Sequence, residues 1–351
     1  MSELALDIYE LPAEYSRNIT KVRSMGDEII WVAAAPGANT HAWRNKALYR
    51  FAPGESEPEL IYQTPSVDPH PIGNIAGSSA GYAFSDYVGS ETLTDKWRVW
   101  YVAKPGAEPI MLDEGDDEFN NDWPPNVAMN DRYIVWTGLR GAGEDRVTEL
   151  KAVSIDALDQ VMTLASTKID DATVYEPALN GSELWYSFSE NDWAQYLAYP
   201  RVEMRNLADP SAAPFVLGRE LRAGMAAPND RVVVFKSGGV PEDNPINAGL
   251  LTIYWRDTET IEQLPIPGHP MAGDRASYPT VGDRFVAWQD DIKSRLYMYD
   301  LAEHQFRRIE ELDPTFSEGT FNERSVAGNL LAFDGWDPDG GQFLRWAFLP
   351  E

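Results

Sequence analysis

One of the chain's four histidines, His70 in the segment VDPHPIG, has the chemistry to take a proton near neutral pH. Tyr278 and Arg222 are its natural companions. An arginine neutralises the carboxylate of a uronic acid while His or Tyr removes the proton on the neighbouring carbon, so His70, Tyr278 and Arg222 would form a lyase-type constellation. Around them stand residues suited to holding a ligand rather than changing it. They are the aromatics Trp43, Trp123, Trp193, Tyr196 and Trp336 and the charged Asp122, Glu176 and Arg324. Exposed aromatic rings beside carboxylates stack on sugars or anchor a protein partner. The chain has no cysteine, which excludes thiolate catalysis, disulfides and Cys-ligated metal. No two histidines share metal-ligand spacing. The acidic runs DEGDDEFNND from Asp113 and DGWDPDGG from Asp334 offer oxygens of the kind calcium uses, but neither matches the EF-hand spacing. No metal site or cofactor is therefore expected, calcium being the one cation these runs suggest.

The elements that must position these residues are legible from residues 277–309, SYPTVGDRFVAWQDDIKSRLYMYDLAEHQFRRI. Short β-branched and aromatic runs separated by tight turns describe a four-stranded antiparallel meander. Such a sheet cannot bury both faces alone, so it needs neighbours of its own kind. The same turn-then-apolar-run pattern recurs with markers Trp31, Phe84, Trp136, Tyr186, Phe235, Trp288 and Phe333, at spacings of 53, 52, 50, 49, 53 and 45 residues. That period predicts a seven-bladed, all-β propeller of four-stranded antiparallel blades. The blades fall at about 17–63, 70–113, 123–165, 175–218, 222–266, 276–310 and 322–350, all within a single domain over 1–351. The seventh unit lacks an outer strand, and ELALDIYEL near the N-terminus supplies it, so strand 4–10 is expected to close the ring.

The blade unit PTVGDRFVAWQ…RLYMYDLAEHQFRRI, together with AAPNDRVVVFKS and its turn before an apolar strand, resembles the TolB-like family of propellers. The resemblance implies the fold. It also implies a choice of roles, because that family includes periplasmic scaffold proteins, propeller domains of serine peptidases and some polysaccharide lyases. No appended α/β-hydrolase domain is expected, on the reading that a GxSxG nucleophile elbow is absent, and no N-terminal partner-binding domain, since the blades begin almost at once.

Strand order separates two faces. First-to-second turns (GD, ND, GN) and third-to-fourth turns are short. The remaining connections are long and lie on the opposite face, where binding residues concentrate on a rigid scaffold. The residues that open each innermost strand, His70, Glu176, Arg222, Tyr278 and Arg324 among them, should crowd the channel mouth on that face.

Net charge of −27 and a pI near 4.4 set the chain against phosphate backbones, so nucleic acid is not an expected partner. No apolar run reaches the roughly 18 residues of a membrane helix, so membrane insertion is not expected either. The acidic opening MSELALDIYE is not that of a signal peptide, which suggests the cytoplasm unless a leader has been removed. The expected function is monomeric recognition of a saccharide or protein ligand on the long-loop face. The alternative is a polysaccharide lyase acting on uronic-acid sugars at the channel mouth.

Overall fold

The computed structural model describes residues 2–36, 46–65, 70–88, 95–117, 124–192, 197–217, 219–238, 249–264, 276–290, 296–309, 321–336 and 341–351. They form seven sheets, the blades of a propeller. Blade 1 is Lys21–Met25, Glu28–Ala34, Lys46–Phe51 and Glu59–Gln63. Blade 2 is Ile72–Ser78, Gly81–Val88, Asp95–Val102 and Ile110–Asp117. Blade 3 follows with Asn126–Met129, Tyr133–Arg140, Val147–Ser154 and Met162–Lys168. Blade 4 comprises Ala172–Asn180, Glu183–Asp192, Leu197–Asn206 and Phe215–Leu217. Ala223–Pro228, Val232–Gly238, Gly249–Trp255 and Thr260–Leu264 make blade 5. Blade 6 has Ala276–Val281, Phe285–Asp290, Leu296–Asp300 and Gln305–Ile309, and blade 7 has Phe321–Ala327, Leu330–Trp336 and Gln342–Phe348. The first strand of every blade touches the first strand of the next, and blade 7 touches blade 1, so these strands line a closed central channel.

The second strands explain why the ring holds. In blade 1, Ile29, Ile30, Trp31 and Val32 are all fully buried. Successive side chains point to opposite faces, so Ile29 and Trp31 pack towards blade 7 while Ile30 and Val32 pack towards blade 2. A strand buried on both faces reads as a continuous apolar run, which is what the repeated pattern contains. Trp136 and Trp288 are buried at the equivalent place in blades 3 and 6.

The N-terminal segment closes the ring in two steps rather than one. Tyr9–Glu10 pairs antiparallel with Gln342–Phe348 and completes blade 7, Tyr9 stacking on Trp346 at 5.5 Å. Ser2–Leu4, however, adds a fifth strand to blade 6, parallel to Gln305–Ile309. Between the two, Leu4, Leu6 and Ile8 alternate inward and fill the seam where Phe285, Phe333 and Phe343 meet. The segment therefore clasps blade 6 and blade 7 together. No helix of the described residues is long and apolar enough to cross a membrane.

Candidate functional site

The two ends of the channel are built from the same strands by different means. At the short-turn end, side chains join blade to blade. Asn130 Oδ1 accepts from the N–H groups of Arg132 and Tyr133, both at 2.9 Å, which shapes the blade 3 turn. Its Nδ2 donates to the Gly181 carbonyl of blade 4 at 2.7 Å. Asn229 repeats the arrangement in blade 5, donating to the Gly282 carbonyl of blade 6 at 2.7 Å. Ser79 donates to Asp131, Asn180 to Asp230, and the Asp283 N–H to the Gly328 carbonyl, so every seam from blade 2 to blade 7 is bridged. The segment Gly77–Gly81 carries the letters of a GxSxG nucleophile elbow, but it lies in this belt. It forms the blade 2 hairpin, and its Ser79 hydroxyl is committed to Asp131.

The long-loop end carries bulges instead. In blades 4, 5 and 6, three paired rungs lead from the hairpin, and then two residues of the innermost strand oppose one of the second. The first bulged residues are Glu176, Met225 and Tyr278, at one level on three consecutive blades. Bulges re-aim side chains at rims and sites. Of the six described non-glycine residues with left-handed backbone, four lie here, Asn18 at φ 52°, Glu176 at 53°, Arg222 at 52° and Met225 at 59°, and two, Glu259 and His304, lie in outer hairpins at the turn end. Each such non-glycine residue costs of order 1 kcal/mol or more, and strain of this kind collects at functional positions.

Glu176 is the centre of the most developed cluster. Its carboxyl accepts from the Ser187 hydroxyl at 3.3 Å and from the Met225 backbone N–H of the next blade. The Met225 N–H also donates to Ser187 Oγ at 2.9 Å. Burial in the wall of the ring pushes the Glu176 carboxyl up to about 7, against the smaller opposing effects of Ser187 and of Lys236. The Tyr175 hydroxyl and Ser187 both stand against Gly224 of blade 5, 3.7 Å and 3.4 Å from where a Cβ would lie.

Other predicted residues are placed as follows. His70 is buried, two residues before Ile72–Ser78, and Arg222 is half-buried immediately before Ala223–Pro228. Tyr278 lies inside Ala276–Val281 at the bulge. All three belong to the long-loop end, but the register sets Tyr278 level with Met225, three residues deeper along the strand than Arg222. Arg324 follows the blade 7 bulge and is 4% exposed, whereas Trp336, ending a second strand, is 39% exposed. Trp43, Asp122, Trp123, Trp193 and Tyr196 lie outside the described residues. Asp113 falls in the outer strand of blade 2, where its carboxylate accepts from the Trp136 indole at 2.8 Å and pairs with Arg140 and Lys151. Asp334 is buried in the second strand of blade 7. Among the described residues, no three His, Cys, Asp or Glu side chains form a group that could hold a metal ion.

Two features escaped the sequence reading. The bulges had a signal, because Pro177 and Pro279 interrupt innermost strands where a proline's missing N–H suits an unpaired position. The second is Lys46, 3% exposed at the start of the third strand of blade 1, whose Nζ donates to the Asn18 carbonyl at 2.6 Å. Burial pulls this ammonium down to about 8. Nothing in the sequence distinguishes it from a surface lysine.

No protein-family model matches the chain, and no curated protein is similar to it in sequence. Solved structures do resemble it in fold. The β-propeller domain of the Trilobed protease from Pyrococcus furiosus, described as having an open velcro topology, superposes with a TM-score of 0.64 at 10% identity, over 96% of this chain and 94% of that one. Pyrococcus horikoshii acylaminoacyl peptidase gives a TM-score of 0.64 at 10% identity over 97% of this chain, which spans only 54% of the peptidase. The tricorn protease gives 0.52 at 11% identity, over 84% of this chain and 30% of that one. At such identities the likeness is one of fold.

Proposed function

We propose that the chain is a recognition propeller of the TolB-like kind, which holds a polypeptide ligand at the long-loop end of its channel and performs no covalent chemistry on it. One observation carries this reading. At the long-loop end the innermost strands of blades 4 and 5 hold left-handed Glu176, Arg222 and Met225, with a half-buried carboxyl at their seam, whereas the innermost hairpins of the turn end commit their polar atoms to joining blades. The fold it shares with propeller domains of peptidases favours a polypeptide over a saccharide. A lyase built on His70, Tyr278 and Arg222 fits less well, because Tyr278 stands deeper in the channel than Arg222 and His70 is buried.

The test uses thermal shift with a pool of short random peptides and, separately, with neutral and uronic-acid oligosaccharides. Stabilisation by the peptides alone supports the proposal. Stabilisation by saccharides alone moves the ligand class, and release of unsaturated sugar products that is lost in His70→Ala replaces recognition with the lyase.

A further inference from the structure

We propose that the outer edge of blade 5, with the apolar seam it shares with blade 4, is a docking surface for a basic edge strand of a partner protein. That strand adds to Thr260–Leu264 as a fifth strand of the blade. The surface lies on the rim of the ring, away from the channel, and does not depend on the reading above.

The outer strands differ in how their open edges are guarded. A strand at a sheet edge presents unpaired N–H and C=O groups that template pairing with another chain. In blades 1, 2 and 3 the outer strand carries one extra residue, Ile61, Leu112 and Leu164 respectively, and such bulges break the row. The outer strands of blades 4 and 7 are only three and two residues long. Blade 6 is covered by the chain itself, since Ser2–Leu4 pairs along Gln305–Ile309. Blade 5 has none of these devices. Thr260–Leu264 pairs with Gly249–Trp255 in unbroken register, and among the described residues no strand pairs with its other side. Ser2–Leu4 on blade 6 shows what an edge of this kind accepts, which is an extended segment of polypeptide.

The side chains beside this edge are apolar. Ile261 stands opposite Tyr254 on the face towards blade 4 and is 39% exposed. Across the seam, Phe215 pairs with Met204, faces blade 5 and is 44% exposed. Its ring centre lies 6.3 Å from those of both Trp185 and Tyr254. An added strand with a large apolar side chain next to Ile261 would cover this cluster.

Charge names the partner. Asp257, Glu259 and Glu262 fall in or beside the strand, and the adjacent cation, Arg256, is paired with Glu183 at 2.7 Å. Glu262 lies on the opposite face from Ile261, where it accepts from the Trp255 indole at 3.0 Å. The complementary strand therefore alternates lysine or arginine with large apolar residues. A second copy of this chain, itself at −27, fits poorly. So does a short unstructured peptide, because ordering its backbone offsets the gain from one row of hydrogen bonds. The partner presents a strand already formed.

The probe is a disulfide-closed β-hairpin whose outer strand alternates lysine and leucine, titrated against the intact protein by fluorescence anisotropy. Saturable binding is expected, with new amide protection at 260–264. Replacing the lysines by glutamate, or N-methylating the outward amides of that strand, should each weaken binding about 10-fold or more. Ile261→Lys and Phe215→Ser should do the same. Both positions are exposed, so the melting temperatures should stay near the parental value. Ile110→Lys, on the bulged edge of blade 2, should bind as the parent does. No binding up to about 1 mM overturns the proposal. Binding that survives N-methylation or Ile261→Lys also overturns it, being general attraction to an acidic surface. A parent protein that sediments as a dimer, with an Ile261→Lys variant that does not, replaces the partner with a second copy.

Discussion

The turn end and the long-loop end of the channel terminate the same innermost strands, yet they use backbone and side chains in opposite ways. At the turn end, the innermost hairpins place glycines such as Gly181 and Gly328 in left-handed backbone, which they adopt without strain, and only the outer hairpins of blades 5 and 6 put non-glycine residues there, Glu259 and His304. Asparagine and aspartate residues there join the blades in succession from blade 2 to blade 7. At the long-loop end the left-handed residues are Asn18, Glu176, Arg222 and Met225, in or beside the innermost strands. One end is arranged for cohesion. The other keeps a local cost that the cohesion of the ring sustains.

The largest effect belongs to the core on which both ends depend. Trp288 is fully buried and stacks on Tyr297 at 5.7 Å. Trp288→Ala should cost about 3–5 kcal/mol in chemical denaturation and weaken both ends together. If it left stability unchanged, the second strands would not be the inter-blade core.

Asn229→Ala should cost about 1–3 kcal/mol, because two turn N–H groups lose their acceptor and the bridge to Gly282 is lost. Ligand binding should be unaffected. A variant of parental stability, or one that lost ligand instead, would erase the distinction between the ends.

Glu176→Gln should change the pH dependence of stability more than its magnitude. The folded-state pKa is raised from 4.5 to about 7, so the neutral form is favoured by folding. Stability from this group is complete below about 4.5 and is lost as pH rises through about 7. The variant should lack that slope and be the more stable protein above pH 7 in thermal melts. Identical pH profiles would mean that Glu176 is not held in a buried setting.

Trp336→Ala should have the smallest effect on stability, within about 0.5 kcal/mol, since its side chain is exposed at the end of its strand. Its effect should appear in ligand affinity, measured by titration with the peptide pool. A large loss of stability would make it a packing residue.

The fold was legible because its signal is repeated and apolar. The markers from Trp31 to Phe333 sit in strands buried on both faces, and that burial writes itself into sequence as a run. Ring closure was legible in part. Tyr9 and Glu10 complete blade 7 as the missing strand required, but nothing in SEL announces a parallel pairing with blade 6. The site was less visible, because it depends on register. Glu176 was singled out as a strand-opening acid, but its partnership with Ser187 and Met225 arises from bulges on two blades whose residues lie far apart in sequence. The same bulges set Tyr278 level with Met225, three residues along the strand from Arg222, an offset that residue counting alone does not show. Lys46 was invisible because only packing makes it unusual.

The central claim is that ligand binds at the long-loop end while the turn end serves cohesion. Amide hydrogen exchange, with and without the peptide pool, tests it most directly. The account predicts new protection at 172–178 and 223–227, around Glu176 and Met225, with no change in the hairpins at 130–133 and 229–232. Protection centred on those hairpins, or on the outer strands of the blades, would contradict it.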